Sequence, residues 1–142
     1  MRLSIKGDYG MRAMLDLAER AGQGPVQSEG IAKRQAVSEA YLDQLLTQLR
    51  RAGLVRSIRG PKGGHELAKP ADQITLNAVL TALEGDYLDI LPDPEADLPS
   101  VKVQREVWQR VRDAAESILA GTTLRALLER QAELAAPARY FI

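Results

Sequence analysis

A mainly α fold carrying one two-stranded hairpin is what this sequence predicts, on three observations. Leucines recur at helical spacing in "SEAYLDQLLTQLRR", residues 38–51. The stretch that follows, "LVRSIRGPKGGHELA", alternates, turns through glycines and returns. The longest periodic segment, about 101–119, steps by three and four residues along one seam. These patterns separate the two element types because side chains repeat every ~3.6 residues on a helix and every second residue on a strand.

Taken in order, Tyr9, Ala13, Met14, Leu17, Ala18 and Ala21 share one face of a first helix, with Met11 and Met14 as core or near-core residues. "GQGP" (22–25) is a turn. Ser28 is the expected N-cap of a short helix that points Ile31 and Ala32 inward, with Gly30 inside it at a cost of about 1 kcal/mol against Ala. Ser38 caps the next helix, which buries Leu42, Leu45, Leu46 and Leu49 along with Tyr41. Its other face carries Glu39, Ala40, Asp43, Gln44, Thr47, Gln48, Arg50 and Arg51, and Gly53 stops it. Leu54, Arg56 and Ile58 then alternate with Val55, Ser57 and Arg59 as a strand, "GPKGG" turns, and "HELA" returns. Thr75 caps a helix with Leu76, Val79, Leu80 and Leu83 inward, ending at Gly85.

Residues 86–99, "DYLDILPDPEADLP", are acidic and proline-rich and read as a loop or linker. The long helix follows, with Val101, Gln104, Trp108, Val111, Ala115 and Ile118 on a seam of coiled-coil type, and Gly121 ends it. Thr122 or Thr123 opens a last helix through Leu124, Leu127, Leu128 and Leu134. The expected organisation is a first domain over 1–85, a linker over 86–100 and a helical part over 101–142.

The order helix, short helix, turn, helix, hairpin is that of a winged helix-turn-helix, with "QAVS" (35–38) as the turn and 57–67 as the wing. Charge agrees with this reading. Net charge is zero, but residues 1–70 hold twelve Lys/Arg against seven Asp/Glu, and 71–142 hold seven against twelve. The basic excess therefore falls on the motif, as expected for a partner that is double-stranded DNA. Lys6, Arg50, Arg51, Arg59 and Lys62 are candidate phosphate contacts, and glycines such as Gly60 let the wing tip approach a sugar–phosphate wall. Ser38, Glu39 and Ala40 sit at the helix end that meets base edges, with Gln44 placed to pair with adenine. Two readings stand for Glu39 and Asp43: acceptors from cytosine N4, or solvated acids that support Arg50 and Arg51.

The stretches "MRLSIKGDYGMRAMLDLA", "IAKRQAVSEAYLDQLLTQLRRAGLVRSIRGPKGGHELA" and "ITLNAVLTALEG", with "VWQRV…ILAGTTLRALL", resemble the Rrf2 family of bacterial transcription regulators over nearly the whole chain except 86–100. The resemblance implies a dimeric repressor or activator, assembled on the long helix, at a pseudo-palindromic operator; the seam then becomes the expected homodimer interface. It also implies DNA roles for Arg2, Ser38, Ala40, Tyr41, Asp43, Gln44, Arg59 and Pro61. His65 stands where the family commonly has Tyr, and Ala40 lacks the hydroxyl a serine there would offer. Well-known members carry three cysteines near 86–100 that hold an iron–sulfur cluster. This chain has no cysteine, so the expectation is a member without a cluster, metal or other cofactor, responding to a protein partner or another effector.

Other classes are poorly supported. "GPKGG" lacks the G-x-x-x-x-G-K-[ST] order of a phosphate loop, and there is no Cys nucleophile, no His–carboxylate pair at motif spacing and no H-E-x-x-H, so no enzyme is expected. A winged helix used only for protein contacts is the rival; it gains if Arg2, Lys6, Arg34, Arg50, Arg51, Arg59 and Lys62 scatter instead of forming one surface. Trp108 reads as a buried seam residue and His65 as an ordinary strand residue. Asp86, Asp89, Asp93, Glu95 and Asp97 read as a solvated loop, lacking the order of a calcium loop. Tyr140 and Phe141 either tuck back on the core or stay free. With no run of 18 apolar residues and no apolar segment in "MRLSIKGDYG", a cytoplasmic protein is expected, neither exported nor bound to a membrane.

Overall fold

The computed structural model describes residues 3–137. Six helices and one antiparallel pair follow in the expected order: α1 (Ile5–Glu19), α2 (Ser28–Gln35), α3 (Glu39–Arg51), β1 (Val55–Ile58), β2 (Gly64–Leu67), a 3-10 turn (Ala71–Gln73), α4 (Leu76–Glu84), α5 (Pro99–Ala120) and α6 (Leu124–Ala135).

Side-chain caps set most starts. Ser4, Ser38, Thr75 and Thr123 accept from the amides of Gly7, Tyr41, Ala78 and Ala126 at 3.2, 3.3, 3.1 and 3.1 Å. Ser28 does not cap α2. Gln27 holds the cap position with extended backbone, and Ser28 is the first helical residue. The reason lies one residue upstream, where Val26 exchanges two backbone hydrogen bonds with His65, at 2.8 and 2.7 Å. That pairing holds the chain extended up to Gln27 and adds an isolated bridge beside the wing.

The core gathers the leucine face of α3 (Leu42, Leu45, Leu46, Leu49) with Ala13, Met14 and Leu17 of α1, Ile31 of α2, and Val79 and Leu83 of α4. Gly10 allows α1 and α4 to meet closely, because a Cβ there would fall 2.2 Å from Leu83 Cδ1. Ala21, expected on the inward face of α1, is exposed, since the helix ends at Glu19. In the wing, Val55 pairs with Leu67 and Ile58 with Gly64. The expected alternation fails there: Leu54 and Val55 are both buried and Ile58 is 40% exposed, because only the inner end of the hairpin rests on the core.

Two features extend the core beyond residue 85. Leu88, within the acidic loop, is buried, and Arg112 of α5 donates to its carbonyl at 3.2 Å. Leu124 of α6 is fully buried in the main cluster, and its amide bonds to Ile74 O at 2.9 Å while Thr122 O accepts from Leu76 at 3.0 Å. Thus α6 packs on α1 and completes the winged-helix body. By contrast α5, which starts at Pro99, two residues before the sequence-based estimate, has no buried residue along its 22.

Candidate nucleic-acid interface

The helix-turn-helix is joined by a strained residue. Ala36 takes φ 56°, ψ 48°, a left-handed geometry that disfavours a Cβ. The turn aims α3 so that Ser38, Glu39, Ala40, Asp43 and Gln44 are all exposed at its N-terminal half. Tyr41 is half-buried, its ring edge-on to Tyr9 with centroids 6.0 Å apart. Thr47 and Gln48, assigned to the polar face, are half-buried, and the Thr47 hydroxyl donates to Asp43 O at 2.8 Å.

The wing stands against one flank of α3. Arg50 donates to Ser57 Oγ at 3.4 Å, and Ser57 Oγ lies 3.4 Å from Nδ1 of His65, its cross-strand partner. Burial holds the His65 imidazole below its ordinary range; Asp43 pulls it up and Arg50 pushes it down, and the net direction is down. His65 thus lies on the wing strand beside Ser57, on the side where Arg50 of α3 reaches the wing. Arg56 is tied to Glu66 at 2.6 Å. At the tip, Arg59, Gly60, Pro61 and Lys62 are exposed. Gly60 has φ 110°, and a Cβ on Gly63 would fall 2.1 Å from Ile58 O, so the turn requires glycines at both places.

The cations divide into two groups. Arg34 donates to both oxygens of Asp16, at 2.9 and 2.8 Å, Gln35 adds a third bond at 3.0 Å, and Arg20 lies 3.4 Å away. Asp16 is fully buried. Burial pushes its carboxyl up, but the bonds from Arg34 and Gln35 and the charges of Arg20 and Arg34 outweigh that, so its pKa lies below the ordinary value. Arg12 is held by Asp8 at 2.8 Å and by Gln35 O at 3.1 Å, 4.9 Å from the Tyr9 ring centroid. Arg34 therefore fixes α2 to α1. Lys6, Arg51, Arg59 and Lys62 make no ion pair among the described residues. Arg2, Tyr140 and Phe141 lie outside the described residues. Asp16 escaped the sequence reading, though a carboxylate between Ala13, Met14 and Leu17 on a core-facing helix implies a buried partner.

Along α5, Val101, Val111 and Ala115 of the seam are half-buried within the single chain, while Gln104, Trp108 and Ile118 are exposed. Val103 and Val107, which the seam omitted, are 59% and 53% exposed and share helical spacing with Ala114 and Ile118. The apolar stripe left uncovered is therefore wider than the seam and turned to one side of it.

A helix with a free polar end, flanked by a cationic glycine hairpin on a helix-turn-helix frame, defines a winged-helix DNA-binding protein. The Rrf2 family model, described as an iron-dependent transcriptional regulator, matches residues 3–130, and the chain belongs to this family. It is 42% identical to the HTH-type transcriptional regulator CymR of Bacillus subtilis, over 87% of each chain. It is 50% identical to the regulator IscR of Erwinia tasmaniensis over 59% of this chain and 51% of that one. Among solved structures, CymR of B. subtilis, described as a global cysteine regulator, superposes with TM-score 0.82 at 40% identity, covering 92% of this chain and 98% of that one. IscR of T. potens superposes with TM-score 0.84 at 38% identity over 99% and 95%. The protein is thus a DNA-binding transcriptional regulator and not an enzyme.

The residues present do not fit an iron–sulfur cluster. The chain has no thiolate, its single histidine lies on the wing, and no group of three His, Cys, Asp or Glu among the described residues is arranged to hold a metal. The acidic loop is instead tied to α5, with Arg105 donating to Asp93 O at 2.8 Å and Arg112 to Asp86 at 3.2 Å. Among the described residues no helix is long and apolar enough to cross a membrane.

Proposed function

We propose that the protein acts in the cytoplasm as a homodimer that represses transcription from a pseudo-palindromic operator, without an iron–sulfur cluster. The observation that supports the dimer is α5: a 22-residue helix with Val103, Val107, Trp108 and Ile118 exposed and nothing on it buried. An amphipathic helix of that length stays folded by covering its apolar stripe, and a second copy of the same helix supplies the match. Each α3 then reads one half-site. Ser38, Glu39, Ala40, Tyr41, Asp43 and Gln44 face bases, and Lys6, Arg50, Arg51 and the wing tip Arg59–Lys62 hold backbone. The span of two α5 helices sets the half-site separation at about one helical turn of DNA, roughly 34–36 Å, or a small multiple. A protein or small-molecule effector acting near the 86–98 loop would alter that span through Arg105 and Arg112.

Salt tests the reading directly. Several phosphate contacts per dimer make log Kd climb linearly with log salt, so affinity falls by orders of magnitude from about 50 to 200 mM. Binding that stays flat across this range would point to the rival winged helix that contacts only proteins.

A further inference from the structure

A cavity of about 260 Å³ opens between α4, the start of the acidic loop and the second half of α5, and Asn77, Thr81, Asp86, Tyr87, Arg112 and Glu116 line it. None of these residues belongs to the reading surface described above. Arg112 and Glu116 stand four residues apart on α5, so they are neighbours on one helix face. They do not pair, and Glu116 makes no ion pair among the described residues. Arg125 and Glu129 of α6 have the same order and spacing and do meet, at 3.7 Å. The difference is that Arg112 turns to the loop, where it donates to Leu88 O and to Asp86, both at 3.2 Å. Those bonds use two of the five N–H donors of a guanidinium. The cavity therefore presents spare cationic donors beside an unanswered carboxylate. The end of α4 adds to the pull on a cation, because Gly85 caps it on the cavity wall and a helix C-terminus carries the negative end of the dipole. The Tyr87 hydroxyl donates to Asn77 Oδ1, which leaves the Asn77 NH2 as a further donor. Burial lifts the Tyr87 pKa above its ordinary value and the charge of Glu116 lifts it further, so this hydroxyl keeps its proton.

From this geometry we infer that the cavity binds a small free α-amino acid, its carboxylate held by Arg112 and its ammonium by Glu116. The zwitterion answers both charges at once, since its two charged groups sit on one carbon and the two side chains sit side by side on one helix face. A simple amine leaves the spare donors of Arg112 unmatched, and a simple carboxylate meets the repulsion of Glu116 and Asp86. The volume lies below the roughly 300–1,000 Å³ of sites for drug-sized ligands, which limits the occupant to a small molecule. Binding has a consequence for the loop. The ligand carboxylate competes with Asp86 and Leu88 O for Arg112, so occupancy loosens the tie between the acidic loop and α5. The inference deepens the effector reading proposed above, for which it names a ligand class and a contact, and it rests on that reading only for the effect on DNA.

The test uses the full chain without DNA. Each standard α-amino acid is added at about 20 mM in a thermal-unfolding scan, and those that shift Tm are titrated by calorimetry. The inference expects at least one to raise Tm by about 4 °C, with a Kd of about 0.1–1 mM, because Glu116 is exposed and its attraction is screened. The amine left by decarboxylating that amino acid and the acid left by removing its amino group bind at least about tenfold more weakly. Glu116→Gln weakens the amino acid about tenfold and leaves the Tm of the unliganded protein unchanged, since Glu116 pairs with nothing in the fold. Arg112→Gln weakens it as well but also frees the loop, so Glu116→Gln is the deciding variant. If no amino acid shifts Tm, the inference is overturned. Equal binding of the amine makes the cavity a simple cation site and overturns it too. An amino acid that binds Glu116→Gln as tightly as wild type occupies some other place, with the same consequence. If the amino acid binds as expected yet leaves the affinity for a selected DNA duplex unchanged, the site stands and the effector reading fails.

Discussion

The winged-helix body and α5 are built on opposite principles. In the body, α1, α2, α3, α4 and α6 bury a shared aliphatic core, and even a carboxylate, Asp16, is enclosed and matched by Arg34 and Gln35. In α5 no residue is buried, and its ties to the chain include Arg105 and Arg112, which donate to loop carbonyls. The body is complete in one chain and holds a reading surface rigid. The helix leaves its apolar stripe uncovered within one chain, and on the proposed function a second copy covers it. A regulator needs both: a rigid reader, and an adjustable distance between two readers.

That contrast breaks first at α5. Val107→Glu places a charge on the uncovered stripe. It should yield monomers by analytical ultracentrifugation, weaken binding to a two-half-site duplex about a hundredfold, the scale of lost avidity, and give a Tm that no longer rises with protein concentration. A Tm drop without a change in mass would make the stripe part of the body. Asp16→Asn attacks the body instead. Removing one partner of a buried pair costs about 3 kcal/mol, at the lower end of the range because Arg34 and Arg20 can reach solvent; urea unfolding reads it. The same carboxyl has a depressed pKa in the folded state, so its contribution is present above the ordinary carboxylate range and is lost as pH falls below it.

Within the reading surface, Arg59→Ala should weaken binding about five- to tenfold on every sequence, whereas Asp43→Ala should shift base preference more than affinity; paired footprints on several duplexes separate the two. Ala36→Gly relieves a left-handed Cβ and should stabilise by about 0.5–1 kcal/mol, read by urea unfolding, less the entropy glycine adds to the unfolded chain. The smallest effect is at His65. Its folded pKa is lowered, so near neutral pH both states are uncharged and nothing is gained or lost. As pH falls below about 6.5 the unfolded chain takes a proton the folded one resists, and stability declines until the folded pKa is passed. His65→Gln should flatten that part of the pH–stability curve.

Local chemistry made most of the body legible. Ser38 and Thr75 cap where their side chains and spacing say they should, and Leu42, Leu45, Leu46 and Leu49 face inward as their period requires. What was missed is nonlocal. Val26 pairs with His65 across 39 positions, and this put the cap of α2 at Gln27, leaving Ser28 as the first helical residue. Leu124 enters the core through the Thr75–Thr123 bridge, which no period announces. Asp16 and Arg34 are ordinary surface types until two helices enclose them. For the site, residue types pointed to the wing and α3, but only the structure separates cations engaged within the fold, such as Arg34, from those with no ion pair among the described residues, such as Arg59. The uncovered stripe on α5 was likewise partly visible: the seam gave Trp108 and Ile118 but not Val103 and Val107, because a repeat does not say which side the rest of the chain takes.

The central claim is that two copies, joined on α5, read two half-sites at a fixed separation. The direct measurement is selection from a randomised duplex pool by metal-free protein at about 150 mM salt, followed by the protein-to-duplex stoichiometry of the enriched sequence. The account predicts one palindrome, two protomers per duplex, and loss of binding when the spacing between half-sites changes by a few base pairs. A single asymmetric site bound by one protomer, with no dependence on spacing, would contradict it.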